Sequence, residues 1–289
     1  MLNAGSFFLF ANPFKEETIA AAAEMANRLL REHARVILEG WLYDVLKGTL
    51  KAGERCDLKD LREKVDAIIS IGGDGTLLRT TAEAAARDIP VLGINMGRVG
   101  FLLEDDTDDH VETVQRLLAA DYMIEERMML RCKVNESPEV LVMNDVALTR
   151  GHNPSSIEVK AFADDEMIFI SRGDGALAAT PTGTTGYALS AGGPVVYPSM
   201  SCITIVPICS HILNQRPLVL PPDMVVRMTA NAATDKPCHV IMDGQTVLPM
   251  NGQVHIRIVR SDRKAKFIRF QKQKFLSRLR LKQAEWSRE

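Results

Sequence analysis

A carboxylate set in a glycine-rich turn is the first feature of this sequence that could do chemistry. Residues Asp66–Leu78 read DAIISIGGDGTLL: a short apolar run typical of a buried parallel strand, three glycines around Asp74, then a helical segment. Backbone N–H groups at such a helix N-terminus favour phosphate oxygens. Because Asp74 would repel a phosphate, the turn predicts another role for it, as a helix cap, a metal ligand or a proton acceptor.

A second polar pair, Asn144 and Asp145, interrupts the apolar segment VLVMNDVAL. Adjacent polar side chains are costly to bury without partners. An amide beside a carboxylate is suited to bind a vicinal diol such as that of ribose. A β-bulge or a turn satisfied by its own backbone explains the pair equally well, so both interpretations stay open at this point.

Three further clusters combine glycines with polar side chains. Arg172–Gly175 (RGDG) is by default a plain turn, with a polar ligand contact as the alternative, and Asp243–Gln245 (DGQ) alone predicts a hairpin turn. The segment Thr180–Tyr187 (TPTGTTGY) is followed by SAGGP. Its four threonines are hard to explain as packing, which favours binding of a purine or of phosphates. Tyr187 and Ser190 are expected on one turn of the helix that follows.

The elements that must position these residues differ between the two halves of the chain. In the first half, strands alternate with helices, as in a parallel sheet with helical crossovers. Ligands bind beyond the carboxyl ends of such strands, so Asn95–Leu102, which contains the glycine cluster Gly97–Gly100, is a second candidate wall of the crevice at the glycine turn. The expected elements are strands Ser6–Ala11, Ala34–Leu38, Val65–Ile71 and Pro90–Asn95, and helices Glu16–His33, Thr76–Arg87 and Val111–Ala119, with residues 39–62 as a loop containing short helical pieces.

From about Arg127 onward short β-prone segments dominate, which predicts a mostly β second domain built as a sandwich or as curved sheets. The predicted domains are 1–124 and 125–259, with residues from about 260 to 289 as a segment that could pack back on the first. Gln271–Arg288 is predicted to be a basic helix attached by one apolar stripe. The expected strands are Met128–Val134, Val140–Thr149, Ile157–Phe162, Met167–Ser171, Ala176–Ala179, Cys202–Pro207, Met224–Ala230, Val240–Met242, Val254–Val259 and Lys266–Phe270.

Composition narrows the class of protein. The chain has 289 residues, 46% hydrophobic and 25% charged, with a net charge of −2. These values are typical of a globular enzyme or binding protein and give no electrostatic case for nucleic acid. No apolar stretch is long enough to span a bilayer and no signal-peptide layout is visible. Five scattered cysteines without a C-x-x-C pair indicate reduced thiols, so a cytoplasmic protein without a zinc site is expected.

Taken together, the motifs resemble a known kinase family. Residues 71–76 match the GGDGT motif of the superfamily that includes NAD kinases, diacylglycerol-type lipid kinases and 6-phosphofructokinases. The order of the remaining motifs resembles a bacterial-type NAD kinase from about Ser6 to Phe270, and TPTG-x-T-x-Y with SAGGP is highly specific. These motifs are Asn144-Asp145, Asp174-Gly175, TPTGTTGY, Pro207–His211, Arg216–Leu218 and Asp243–Gln245.

The resemblance implies a two-domain NAD kinase-like fold with the active site in the cleft between an α/β domain and a mostly β domain. It also implies transfer of a phosphoryl group from ATP, with polyphosphate left open as a donor, to the 2′-hydroxyl of the adenosine ribose of NAD. Asp74 would be the catalytic base, Mg²⁺ or another divalent cation would accompany ATP, and no metal ligand is assigned. Family members assemble as homodimers or homotetramers.

The resemblance further implies which residues contact substrates. The phosphate loop would comprise Gly72, Gly73, Gly75 and Thr76. The substrate-binding residues would be Gly75, Arg79, Phe101, Asn144, Asp145, Arg172, Asp174, Thr182, Thr185, Gly186, Tyr187, Ser190, Cys209 and Gln245.

Three departures from the family pattern affect this assignment. Asp145 stands where glutamate is usual, Gly186 where alanine is usual, and Ser210 where proline is frequent. None removes a group that the chemistry needs. The alternatives are a lipid or sugar kinase of the same superfamily, against which the TPTGTTGY loop argues, and a non-catalytic nucleotide-sensing module, against which the intact acidic residues argue.

Overall fold

The structure is a computed structural model that describes residues 5–50, 52–97, 100–103, 109–233, 237–271 and 275–286. Its strands are β1 (Ser6–Ala11), β2 (Arg35–Leu38), β3 (Glu54–Arg55), β4 (Ala67–Gly72), β5 (Val91–Asn95), β6 (Met123–Val134), β7 (Val140–Val142), β8 (Asp145–Thr149), β9 (Ile157–Ala163), β10 (Glu166–Gly173), β11 (Gly175–Ala179), β12 (Ile203–Ile208), β13 (Leu218–Leu220), β14 (Val226–Ala232), β15 (Cys238–Met242), β16 (Thr246–Met250) and β17 (Gly252–Arg269). Its helices are α1 (Glu16–Arg31), α2 (Gly40–Leu46), α3 (Asp74–Ala86), α4 (His110–Leu118), α5 (Tyr187–Ser190) and α6 (Phe275–Trp286).

The chain forms two compact units, Met1–Glu126 with Ala265–Glu289, and Arg127–Lys264. In the first unit, β1 to β5 form a parallel sheet in the order β3-β2-β1-β4-β5. The order reverses between β1 and β4, and parallel sheets bind ligands at the carboxyl ends of strands beside such a reversal. The Asp74 turn follows β4 at this edge, so the topology places it where a ligand is expected.

The core of the first unit explains why these segments become strands. Every residue of β4 is buried. Alternate residues of β1, Phe7, Leu9 and Ala11, pack in one apolar cluster with residues of α1 and α4, such as Met25 and Val114. A strand that is apolar on both faces requires cover on both sides, which the helical crossovers of a parallel sheet provide.

The second unit is antiparallel. One sheet has the order β10-β9-β14-β17 and the other has the order β13-β12-β11-β8-β15-β16. Residues of both sheets, such as Val159, Ile256, Leu148 and Ile205, share one buried cluster, so the two sheets pack face to face. The opposite face of the β11–β8 sheet is covered by a second cluster that includes Ala188 of α5.

The expected α/β first half and mostly β second half are confirmed, and several element boundaries are corrected. Residues 39–62 contain α2, a 3₁₀ turn and the short strand β3. Val140–Thr149 is two strands, because the chain breaks at Met143-Asn144. Val254–Val259 and Lys266–Phe270 are one strand, β17, which also pairs with β6. Backbone pairing continues through its polar middle because ladder hydrogen bonds do not require apolar side chains.

Strands β13 and β16 were missed by the sequence patterns. Their apolar residues are largely exposed, with Leu218, Val219 and Val247 at 43%, 50% and 49%. Of the helices in the described ranges, none combines the length and the apolar character needed to cross a membrane.

Candidate functional site

The glycine turn after β4 is held in a conformation that needs glycine. Gly72 has a φ of +156°, and a Cβ there would lie 2.5 Å from Thr76 Oγ1. Gly73 and Gly75 have open space where a Cβ would be. Thr76 is buried, and its N–H donates to the carbonyl oxygen of Gly73 at 2.9 Å. The turn is therefore closely packed between Gly72 and Thr76, whereas the space beside Gly73 and Gly75 is open.

Asp74 does not cap its own helix. Gly73 is the N-cap residue, and Asp74 is the first residue of α3. The half-buried Asp74 carboxylate instead accepts the backbone N–H of Phe101 at 2.8 Å and that of Leu102 at 3.3 Å. A carboxylate has about four acceptor positions, so these two bonds orient the group and leave capacity for a substrate hydroxyl.

Gly100 allows the backbone of residues 100–102 to lie close to the Asp74 carboxylate. A Cβ on Gly100 would lie 2.2 Å from Asp74 Oδ1, a distance that no alanine side chain tolerates. Residues 98 and 99 of the predicted wall Asn95–Leu102 lie outside the described residues. Gly100 lies directly beside Asp74, and the role of this segment as a wall of a binding crevice stays a prediction.

We expect Asp74 to be a reacting group and Gly100→Ala to lower the reaction rate by roughly 10- to 100-fold, since displacements of about 1 Å at a reacting group have effects of this size. Steady-state kinetics of the variant, at saturating substrate, measures this. Gly48→Ala is the control, because nothing lies within 4 Å of the added Cβ there. Equal kcat for both variants would show that the close contact between Gly100 and Asp74 does not affect the reaction.

In the second unit, Asn144 and Asp145 are organised by Asp243, which sequence reasoning missed as a functional side chain. The Asp243 carboxylate accepts the backbone N–H groups of Met143 at 2.9 Å, Asn144 at 2.6 Å and Asp145 at 3.3 Å. Asp243 lies in the turn between β15 and β16, so the hairpin predicted for DGQ is confirmed. Its carboxylate fixes the break between β7 and β8.

Asp145 is a buried carboxyl beside another carboxylate. It is 5% exposed, and burial followed by repulsion from Asp243 raises the pKa of Asp145 to about 7. Burial also raises the pKa of Asp243, but the three backbone donors oppose that shift. Asp243 therefore keeps its charge more readily, and Asp145 is the group that holds a proton near neutral pH.

Asn144 offers a polar atom that the protein itself does not use. Its Oδ1 is buried and has no hydrogen-bond partner within the described part of the chain. Gly186 lies beside the pair, since a Cβ there would be 3.8 Å from Asp145 Oδ2 and 3.9 Å from Asn144 Nδ2. A buried polar atom that the described residues leave unbonded is available to a polar group of a ligand.

The threonine-rich loop is partly structural, which corrects the expectation that its hydroxyls are hard to explain as packing. The Thr180 hydroxyl donates to the carbonyl oxygen of Met143 at 2.7 Å, and the Thr184 hydroxyl donates to that of Pro181 at 2.6 Å. Thr182 is 5% exposed and accepts from Arg127 Nη1 at 3.3 Å. A Cβ on Gly183 would lie 2.1 Å from the carbonyl oxygen of Asn144, so this glycine lets the loop close on the polar pair.

Arg172, Asp174 and Cys209 lie at the other end of the same strands. Asp174 joins β10 to β11, whereas Asp145 pairs with Ala179 at the opposite end of β11, about 17 Å away for the five residues from Asp174 to Ala179. Arg150 Nε donates to Asp174 Oδ1 at 2.6 Å and holds the pKa of the Asp174 carboxyl below its usual value. The exposed Arg172 pairs with Glu158 at 3.2 Å.

Tyr187 is influenced electrostatically by residues at both ends. It begins α5, is 40% exposed, and burial is the first cause of the raised pKa of its hydroxyl. Cys209, Asp174 and Asp145 add to this shift, so Tyr187 is within electrostatic range of both ends. The second unit thus carries one polar group at each end of β11, an arrangement that suits an extended ligand.

The remaining predicted site residues are accessible. The exposed ones are Arg79, Ser190 and Gln245, and the half-buried ones are Phe101 and Thr185. Among the residues described here, no group of three or more His, Cys, Asp or Glu side chains could hold a metal ion.

We expect Asn144 and Asp145 to contact a substrate, and we expect Asp243→Asn to raise the KM of that substrate by about tenfold and to lower the free energy of unfolding by about 1–3 kcal/mol. An amide accepts through one oxygen only, so at least one of the three backbone donors loses its partner. Steady-state kinetics and urea denaturation measure the two effects. Asp223→Asn, at an exposed ion pair with Arg260, is the control; identical behaviour of the two variants would contradict the organising role of Asp243.

Most of the chain is similar to proteins of one known family. Residues 7–122 match the family described as the ATP-NAD kinase N-terminal domain, and residues 143–270 match the ATP-NAD kinase C-terminal domain. An NAD kinase of Magnetococcus marinus is 36% identical over 276 residues, which is 93% of this chain and 89% of the relative. An NAD kinase of Desulforamulus reducens is 37% identical over 286 residues, 96% of each chain.

Two solved structures share the fold. The crystal structure of yeast NADH kinase complexed with NADH has a TM-score of 0.85 at 24% identity and covers 96% of this chain and 86% of that one. The structure of an NAD kinase from Archaeoglobus fulgidus in complex with ATP has a TM-score of 0.72 at 26% identity and covers 95% and 98%. Both the sequence and the fold are therefore similar to one group of enzymes.

Proposed function

The chain belongs to the ATP-NAD kinase family, and we propose that it transfers the terminal phosphoryl group of ATP to the 2′-hydroxyl of the adenosine ribose of NAD. Phosphorylation of NAD to NADP follows from the family itself. The observation that carries the proposal is that the two matched regions, 7–122 and 143–270, contain both the Asp74 turn and the polar cluster at Asn144.

Asp74 is the proposed base. The 2′-oxygen attacks the γ-phosphorus of ATP, the bond between that phosphorus and the bridging oxygen of ADP breaks, and the hydroxyl proton passes to the Asp74 carboxylate. Phosphoryl transfer depends mainly on positioning and charge neutralisation, and a carboxylate can accept the proton late. The two N–H donors from Phe101 and Leu102 support this role because they fix the orientation of the carboxylate.

The second unit is proposed to hold NAD. The unsatisfied Oδ1 of Asn144 and the buried carboxyl of Asp145 are suited to ribose hydroxyls. Tyr187 offers a partly exposed ring within electrostatic range of both Asp145 and Asp174, and the separation of these two along β11 suits the length of a dinucleotide. The binding surface is proposed to be completed by Thr185, Gly186, Ser190, Arg172, Cys209 and Gln245. Thr182 is buried and accepts a hydrogen bond from Arg127, so its proposed role is to stabilise the loop that carries this surface.

ATP is proposed to bind at the glycine turn with Mg²⁺, or another divalent cation, carried on its phosphates as part of the substrate. The open sides of Gly73 and Gly75 support this because bare backbone at a helix N-terminus favours phosphate oxygens. Arg79 is exposed one turn further along α3, so its cation can reach a phosphate group. The Thr76 N–H is used within the turn, so Thr76 contributes structure rather than a phosphate contact.

A cytoplasmic location and a homodimeric or homotetrameric assembly are also part of the proposal. The five free cysteines support a reducing compartment. The predicted position of the active site between the two units stays a prediction.

The test is an assay of the purified chain with NAD or NADH as acceptor and ATP or polyphosphate as donor, with Mg²⁺ present or chelated. An NADP-specific dehydrogenase detects the product. We expect NADP from NAD, ATP and Mg²⁺, and loss of the signal with a chelator. Phosphorylation of a lipid or a hexose but not of NAD would refute the proposal, as would tight NAD binding without turnover under every donor and metal.

A further inference from the structure

The C-terminal helix α6 is attached to the first unit by an arginine, Arg278, together with Phe275 of the expected apolar stripe. Phe275 and Arg278 are 4% and 8% exposed, whereas Leu276 and Leu281 are 62% and 58% exposed. The apolar stripe expected for this segment comprises Phe275, Leu279 and Leu281, and the exposed Leu281 does not contribute to it. A buried guanidinium is costly unless it is hydrogen-bonded, and Arg278 Nη1 donates to the carbonyl oxygen of Leu103 at 2.5 Å.

Both buried residues of α6 contact a short segment, residues 101–103, whose backbone N–H groups also bind the Asp74 carboxylate. The Phe275 ring lies 6.1 Å from the Phe101 ring at an interplanar angle of 47°. Leu103, which accepts from Arg278, is separated by one residue from Phe101. The N–H groups of Phe101 and Leu102 are the two donors to the Asp74 carboxylate. Residues 100–103, here called the Asp74 clamp, thus contact Asp74 on one side and α6 on the other.

We propose that Phe275 and Arg278 are positioning residues for Asp74, acting through the Asp74 clamp. They hold the backbone of Phe101 and Leu102 where their N–H groups fix the carboxylate. Without this anchor the clamp has more conformations available, and the carboxylate loses the orientation that proton transfer requires. The kinetic part of this inference rests on the proposed role of Asp74, and the structural part does not.

The test compares Arg278→Met with Arg280→Met, which makes the same chemical change on the exposed side of the same helix. For Arg278→Met we expect kcat to fall about tenfold with the dissociation constant of NAD within twofold of the unaltered chain. Arg278→Lys, which can still donate to the Leu103 carbonyl, should recover most of kcat. In an Asp74→Asn background, Arg278→Met should cause no further loss, because both changes act on one group.

Hydrogen exchange gives a readout that does not depend on activity. We expect the amides of Phe101 and Leu102 to exchange at least about tenfold faster in Arg278→Met than in the unaltered chain, with no change in Arg280→Met. If Arg278→Met does not fold, Phe275→Leu serves instead, since it weakens the same anchor while keeping an apolar side chain.

Three results would overturn the inference: unchanged exchange at both amides, an equal fall of kcat in Arg278→Met and Arg280→Met, or weakened NAD binding with kcat unchanged. Failure of the proposed function would give a different set of results from failure of this inference. In that case the unaltered chain forms no NADP, while the exchange of the two amides still responds to Arg278→Met.

Discussion

Asp74→Asn is expected to lower kcat for NADP formation by about 10³-fold while the dissociation constant of NAD changes less than about threefold, because general-base groups contribute about 10²–10⁴ to rate. Asparagine has nearly the same shape, and its Oδ1 can still accept an N–H of the Asp74 clamp. It cannot take the proton of the ribose hydroxyl, so the loss should fall on the chemical step.

Two measurements on one sample test this prediction. A coupled assay with saturating NAD and ATP gives kcat, and titration calorimetry gives the affinity for NAD. Asp60→Asn, at an exposed position of the same unit, is the control and should match the unaltered chain in both. Full activity of Asp74→Asn would exclude Asp74 as the base.

Above pH 7, where the Asp145 carboxyl is ionised, Asp145→Asn is expected to make the protein more stable and to weaken NAD binding by about tenfold or more, as a lost hydrogen bond to a charged group does. The pKa of Asp145 is about 7 in the folded chain and near its ordinary value of 3.8 when unfolded. A raised carboxyl pKa contributes stability that is complete below pH 4 and is lost as the pH rises through 7. Asparagine carries no such penalty.

Urea denaturation at a series of pH values measures the effect. Between pH 4 and 7 the free energy of unfolding of the unaltered chain should fall, relative to that of Asp145→Asn, by up to about 1.4 kcal/mol for each pH unit. Above pH 7 the two curves should run parallel. Asp165→Asn, whose side chain is fully exposed, is the control. Parallel curves across the whole pH range would contradict the raised pKa of the buried Asp145 carboxyl.

Local patterns sufficed for the first half of the fold and for the glycine turn. Strand β1 has the predicted bounds, Ser6–Ala11, because a short apolar run ending in Asn-Pro carries its own boundaries. The Asp74 turn is equally local, since the strand, the glycines and the helix are consecutive. Strand β17 was predicted as two because its polar middle conceals pairing that only the neighbouring strand supplies.

The site was harder to predict wherever it depends on contacts between distant residues. Asp243 organises Asn144 from 99 positions away, and the DGQ sequence indicates only a hairpin. The Thr180 and Thr184 hydroxyls bond to carbonyl groups of the fold, which composition alone could not reveal. Arg278 resembles a solvated basic residue until its carbonyl partner is known.

The most direct test of the central claim is the position of the new phosphate in the product formed from NAD and ATP. Proton and phosphorus nuclear magnetic resonance of the purified product distinguishes the two ribose rings and their hydroxyl positions. The proposed mechanism predicts a single product with phosphate on the 2′-oxygen of the adenosine ribose, with a spectrum identical to that of NADP. Phosphate on the 3′-oxygen, on the nicotinamide ribose, or no transfer to NAD at all would contradict it.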